Sequence, residues 1–340
     1  MRVLVLVVVF IGAAFAAYAP HRHRSLCQQS QSMQPQQPVS APCGLACYTQ
    51  CSLSCPPDVS VTIPAGECSV QFPLTAPSAS SQCEQVYSTA SRQIRLTAVN
   101  LGPENSISFA PLRVGFSDGT FDSFDRGTVA TAPIISVAEG GSGSDWFPAF
   151  EAAEPRATLG TVANGGPLLP GASADNTFVV SPYNKFLTFA SMVVPSNDYF
   201  IGNDSPTEHL FLDRNNRLRI RSITLYGRDI WNAGSETTNA TNAAFLQGGT
   251  NAFRVGTSDP VVFGTAGITA FNGLTTAANY VLDARVGNSD PVYRIDISML
   301  STIRLSGGVH VLEWLGNDAA GQISRCTQTV TVLGGGQCQQ

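Results

Sequence analysis

The sequence predicts an all-β protein built for export. Three observations predict it. The chain opens like a secretory leader, its composition is rich in Gly, Pro, Thr, Ser, Val and Asn, and several stretches alternate apolar and polar residues with period two. Charged residues make up only 13% of the 340 positions, and convincing helical periodicity is scarce. That balance suits short strands joined by tight turns.

Arg2 gives a short basic start, and Val3 to Ala17 form an apolar run too short to cross a bilayer as a mature helix. Small residues at Ala14, Ala16, Ala17 and Ala19 suit a cleavage site, whereas Pro20 disfavours a cut directly before it. Residues 1–17 are therefore expected to be a signal peptide, a retained anchor being the alternative. No other stretch is long and apolar enough to span, so the mature chain is expected to be secreted, with no membrane span. His21, Arg22, His23 and Arg24 border the cleavage site and read as a solvated processing flank rather than a metal or heparin patch.

Residues 18–54 read as a spacer followed by a cysteine-rich segment. Gln28 to Pro42 are rich in Gln, Ser and Pro and cannot bury enough apolar surface to order themselves. Cys43, Cys47, Cys51 and Cys55 recur every fourth residue, which on a helix would line one face. Structural zinc usually uses paired Cys-x-x-Cys knuckles, and an oxidising compartment favours disulfides. The chain has nine cysteines: Cys27 and the four above, then Cys68, Cys83, Cys326 and Cys338. Glu84 to Arg325 contain none, which suggests a body that folds on its own core with crosslinks at one end. The odd total leaves one thiol for an intermolecular bridge or a free cysteine, so a disulfide-linked oligomer is allowed.

From Val59 onward the pattern is β. Val59, Val61 and Ile63 alternate with Ser60 and Thr62. Arg217 to Leu225 alternate and then slip phase near Ser222-Ile223, as a bulge would make them do. Tyr293, Ile295, Ile297 and Met299 alternate cleanly, and Val309–Leu315 and Thr327–Leu333 read as a hairpin turning through residues 317–321. Asp145 to Glu154 is the best short helix candidate. A net charge of −5 with no basic stripe argues against a nucleic-acid partner.

Two resemblances organise the rest. Phe189-Ala-Ser-Met-Val-Val-Pro-Ser-Asn-Asp-Tyr-Phe-Ile-Gly-Asn-Asp204 strongly resembles the signature of the spondin domain. Arg95-Leu-Thr-Ala-Val-Asn-Leu101, Val114 to Gly127, Gly165 to Gly171, Trp231-Asn-Ala-Gly-Ser-Glu236 and Pro291 to Ile297 resemble further motifs of that family in the same order. The second resemblance is split: Cys55 to Cys68 with Ser81-Gln-Cys83 looks like the first half of a hyalin repeat, and Gly308 to Val332 like its second half. Together they imply a C2-like antiparallel β-sandwich at 93–299, inserted into a small disulfide-bonded Ig-like β-sandwich made of 55–92 and 300–333, with a tail at 334–340. Insertion needs only that the inserted ends lie close together.

The spondin resemblance also implies a metal site. In that family calcium is held by loops at one end of the sandwich, and the matching positions are Asp198, Asn232 and Glu236. Asn232 stands where the relatives carry Asp. It still offers a neutral oxygen, so Ca2+ affinity is expected to fall towards the extracellular range of about 10⁻⁴ to 10⁻³ M. Asp229 lies close enough in sequence to compensate, and Ala233-Gly234 would let the backbone turn around the ion. The plainer alternative is that Asp198 and Asn232 merely cap loops.

Other motifs weigh less. Gly115-Phe-Ser-Asp-Gly119 fits the string of a hydrolase elbow, but such an elbow must lead into a helix, and Thr120 to Gly127 is polar and turn-like. His209 and His310 are the only bases in the folded part and lack a triad context. Asn239-Ala-Thr241 is a glycosylation sequon; Asn203-Asp-Ser205 is followed by Pro206, which weakens it. The sequence thus points to a non-enzymatic, secreted adhesion or extracellular-matrix protein. Its expected partner is an extracellular glycan or a matrix or cell-surface protein. A crosslinked wall or coat protein is the alternative, and a secreted serine hydrolase a distant third.

Overall fold

A computed structural model describes residues 50–213, 216–249 and 255–334. The predicted signal peptide, the spacer up to Thr49, and Cys27, Cys43, Cys47 and Cys338 lie outside those residues. Thr49–Gln340 forms one unit. It is all-β and sandwich-like, with three short α-helices among the described residues.

Five strands come first: β1 (Leu53–Ser54), β2 (Val59–Thr62), β3 (Ser69–Pro73), β4 (Ser78–Ala79) and β5 (Gln85–Ser88). The middle of the chain supplies β6 (Arg92–Asn100), β7 (Ser108–Phe109), β8 (Leu112–Ser117), β9 (Thr158–Val162), β10 (Ser173–Val180), β11 (Phe186–Val194) and β12 (Tyr199–Gly202). It continues with β13 (Ser222–Tyr226), β14 (Ile230–Asn232), β15 (Val262–Phe263) and β16 (Pro291–Met299). The end adds β17 (Thr302–Ser306), β18 (Gly308–Asn317) and β19 (Ile323–Leu333). The helices are α1 (Ala132–Gly140), α2 (Trp146–Ala153) and α3 (Thr265–Ile268).

Strands from the middle form two sheets. One has the order β10-β6-β16-β13, and the other runs β15-β14-β12-β11-β8-β9 with β7 pairing β11. Alternation places Ile94, Leu96 and Ala98 of the first against Val114, Phe116, Phe189 and Ile201 of the second in one buried cluster. The second sheet is apolar on its other face as well. There Ala190, Phe200 and Trp231 pack with Ile134 and Val137 of α1 and Trp146 and Phe150 of α2, so β11 and β12 are buried almost throughout.

Strands from the two ends of the chain meet in shared sheets. β2-β19-β18-β5 is a mixed sheet in which β2 runs parallel to β19, and β3 pairs with β17. Ile63, Phe72, Ile303, Leu305, Leu312, Val330 and Val332 form the small core between them. Cys55–Cys326 bridges the two ends across a separation of 271 residues, and Cys51–Cys83 closes a local loop. Cys68 is also disulfide-bonded. At the crossover, β6 and β16 are antiparallel neighbours, Met299 lies opposite Ile94, and Leu300 N–H donates to the Gln93 carbonyl at 2.9 Å.

The hairpin β18–β19 turns where expected: Asp318 Oδ1 accepts the Ala320 and Gln322 N–H groups, and Gly321 has φ +77°. Arg217–Leu225 differs from expectation. The strand begins only at Ser222, because Arg217 and Arg219 are bonded back to Asp213 and Phe211. Its register irregularity falls between Leu225 and Tyr226 rather than at Ser222-Ile223. α2 occupies the predicted helix; α1 was not foreseen.

Candidate metal centre

β11 and β12 are joined by the turn Pro195–Asp198, which is tied down by its own hydroxyl and amide groups. Ser196 Oγ donates to the Val193 carbonyl at 2.5 Å and accepts the Tyr199 N–H at 3.1 Å. Asn197 Oδ1 accepts the Asn239 N–H at 2.8 Å. β14 lies beside β12, with Asn232 opposite Tyr199, so the chain leaving β14 passes directly over this turn. The register alone brings the two predicted loops together.

Asp198 clamps them. Its carbonyl accepts the Ala233 N–H at 3.0 Å, and its Oδ2 accepts the N–H groups of Ser235 at 2.9 Å and Glu236 at 3.0 Å. The side chain is fully buried, and Oδ1 has no hydrogen-bond partner among the described residues. Ser235 Oγ is likewise buried without a partner. Burial pushes the Asp198 carboxyl up to about 6, against the three backbone N–H groups that favour the charged form; the Glu139 carboxylate of α1 pushes it further up. Gly234 turns the loop with φ +66°, and a β-carbon there would collide with the Asp259 carbonyl oxygen. Asp259 and Thr257 donate their N–H groups to Gly234 and Ser235, adding a third segment to the clamp.

Of the three expected ligands, the structure brings Asp198 and Glu236 together, both buried. Asn232 lies alongside, but its Oδ1 accepts the Gly234 N–H at 2.6 Å, the loop-capping role that Asn commonly takes. Asp229 does not compensate. Its Oδ2 accepts the Tyr226 N–H at 2.8 Å, and its charge acts on Glu208 rather than on Asp198. Among the described residues no group of three or more His, Cys, Asp or Glu side chains is placed to hold a metal ion. The fit to calcium is therefore partial. The orphaned Asp198 Oδ1 and Ser235 Oγ suit an oxygen-seeking cation, but backbone carbonyls and water would have to complete the six to eight oxygens that calcium takes. Glu139 was missed because its helix was missed.

Ser117 ends β8, is fully buried, and its Oγ accepts the Gly119 N–H at 3.3 Å. No helix follows it. The loop is instead held by Glu154, whose carboxylate accepts the N–H groups of Asp118, Thr120 and Phe121 at 2.8, 2.5 and 2.6 Å. His310 is partly buried and bonded to the Ser306 carbonyl, and His209 lies against Phe189. Asn203 is buried and bonded to Phe189 and Ser205, whereas Asn239 is exposed, its Oδ1 accepting from the Thr241 N–H and hydroxyl.

In comparisons with known proteins, no family model matches the chain and no curated protein matches it.

Proposed function

We propose that this chain is a secreted adhesion or extracellular-matrix protein whose spondin-like sandwich binds calcium at the Asp198 loops and engages a glycan or protein partner there. The observation that carries the reading is the Asp198 carboxylate. It is buried, held by the Ser235 and Glu236 N–H groups, and left with one oxygen that meets no donor among the described residues. A protein rarely keeps such a group without an ion, a water or a proton to meet it. Disulfides in the described part and the absence there of any helix long and apolar enough to cross a membrane are compatible with export. The order of motifs shared with spondin domains supports the partner class.

Calorimetry tests the ion directly. With a dissociation constant of about 10⁻³ M, 10 mM calcium should stabilise the fold by roughly 1.4 kcal/mol, and Asp198→Asn should abolish both the heat and the stabilisation. No heat and an unchanged melting temperature in the unsubstituted protein would remove calcium from the proposal. The crosslinked-coat reading keeps one observation in its favour, the odd cysteine total. Disulfide-linked oligomers on a non-reducing gel would favour it.

A further inference from the structure

At the end of β12 a second site is built from groups that the Asp198 loops do not use. Gly202 closes the strand, and Asn203 turns the chain outward by accepting the Phe189 N–H at 2.9 Å and donating Nδ2 to the Ser205 carbonyl at 2.8 Å. The turn opens one side of a pocket of about 440 Å³, within the size range of small-ligand sites. Asp204 and Glu208 line that side; Arg126, Asp229, Trp231 and Phe263 line the rest.

Its wall is planar and fixed. Trp231 donates Nε1–H to the Gly202 carbonyl at 3.0 Å and stacks on Phe263 with ring centroids 4.5 Å apart and planes 19° apart. Phe263 is 48% exposed, and the Arg126 guanidinium lies 4.3 Å from its centroid. Exposed aromatic rings backed by a second ring cost solubility and usually mark a contact surface.

The polar groups are arranged for sharing. Asp204 gives Oδ1 to the Arg126 backbone N–H at 2.7 Å, and Asp229 gives Oδ2 to the Tyr226 N–H at 2.8 Å while its Oδ1 faces the Arg228 guanidinium. Arg228 sits 4.0 Å from Asp229. The lining carries three carboxylates, Asp204, Glu208 and Asp229, and one guanidinium, Arg126, so the site is acidic. A bare anion would meet the carboxylates, and a metal ion has no group of three ligands here among the described residues. His209, held neutral by burial, adds a ring nitrogen that can donate or accept. A ligand that carries no negative charge, offers hydroxyl donors to the carboxylates and has a flat apolar face for the Phe263 ring meets these requirements.

We propose that this pocket binds a neutral saccharide unit, its C–H face laid on the Phe263–Arg126 surface and its hydroxyls bonded to Asp204, Glu208 and Asp229. The partner class rests on the adhesion reading above, but the location does not depend on the calcium site.

The test uses the secreted full chain on a panel of immobilised neutral oligosaccharides (gluco-, galacto-, manno- and N-acetylglucosamine-configured), with sulfated counterparts as controls, in calcium and in EDTA. Neutral glycans should be retained in both buffers. Arg126→Ala and Phe263→Ala should each weaken retention about tenfold with little change in melting temperature, since both side chains are exposed. Should Phe263→Ala fail to fold, Arg126→Ala with Glu208→Gln carries the test. Retention untouched by these variants would overturn the pocket and leave the glycan partner standing. Retention of no neutral glycan, or preference for the sulfated ones, would overturn both.

Discussion

Two buried titratable side chains oppose one another. Asp198 has its carboxyl raised to about 6 in the folded protein from 3.8 when free, because burial disfavours the anion. The folded state therefore binds more protons than the unfolded state between those values. This group makes folding cost about 3 kcal/mol above pH 6, and acid relieves the cost. His209 is lowered by burial from 6.5 to about 4, so here the unfolded state binds the extra proton. Its contribution is present above pH 6.5 and is lost as pH falls towards 4, again by about 3 kcal/mol. The Glu208 carboxylate 3.7 Å away does not reverse this, since it is itself half exposed and raised by burial and by Asp204 and Asp229. Between pH 4 and 6 the two slopes nearly cancel. In EDTA, urea midpoints of the unsubstituted protein should change little from these groups across that window. Asp198→Asn should expose a loss of stability on acidification, and His209→Gln a gain. Two variants with slopes of the same sign would show that one carboxyl or imidazole titrates normally.

Glu154 matters at the scale of elements, because one carboxylate fixes a connection that has no regular structure. It follows α2 directly and takes three N–H groups from the loop after β8, so it ties the helical layer to the end of that inner strand. Glu154→Ala leaves three backbone donors to find water in a largely buried place. The expected cost is about 3 kcal/mol in chemical unfolding, with the fastest new amide exchange at Asp118 to Phe121; a cost below about 1 kcal/mol would mean that water replaces the carboxylate. Such a contact is invisible in sequence, since Glu154 and Thr120 share no motif. The strands with strict alternation, β2, β16, β18 and β19, were legible because one face of each is more buried than the other. α1 was not. Its apolar residues Ile134, Val137 and Ala138 cover one short stripe, too few for a period to stand out. Yet its ends were written in the chain: Thr131 accepts the Ile134 N–H, Pro133 sits in the first turn, and Gly141 closes it with φ +60°. Missing that helix hid Glu139 from the Asp198 site. The pocket at Arg126 and Phe263 was equally hidden, because it is assembled from five separate stretches of chain.

Over the whole molecule, the stabilities of the two cores should separate. The small core between β3–β17 and the mixed sheet contains seven buried hydrophobic residues, whereas the main sandwich holds its own large cluster. Direct pairing of β6 with β16 keeps the ends of that sandwich together without help from the terminal strands. What the terminal strands lack in buried surface the Cys55–Cys326 bridge supplies. Closing a loop of 271 residues' separation restricts the unfolded chain by roughly 5.5 kcal/mol in the chain-entropy account. The dependence on loop length is logarithmic, so most of that value survives even when the middle of the chain stays folded and the loop is effectively shorter. Replacing both cysteines with Ala should therefore melt the terminal module first, as a separate low-temperature transition, while the main transition moves little. Hydrogen exchange would locate it: amides of Val330 and Val332 should lose protection, and those of Leu96 and Ile295 should keep it. A single transition shifted as a whole would mean instead that the main sandwich depends on the terminal strands, and that the pairing of β6 with β16 is not enough to close it.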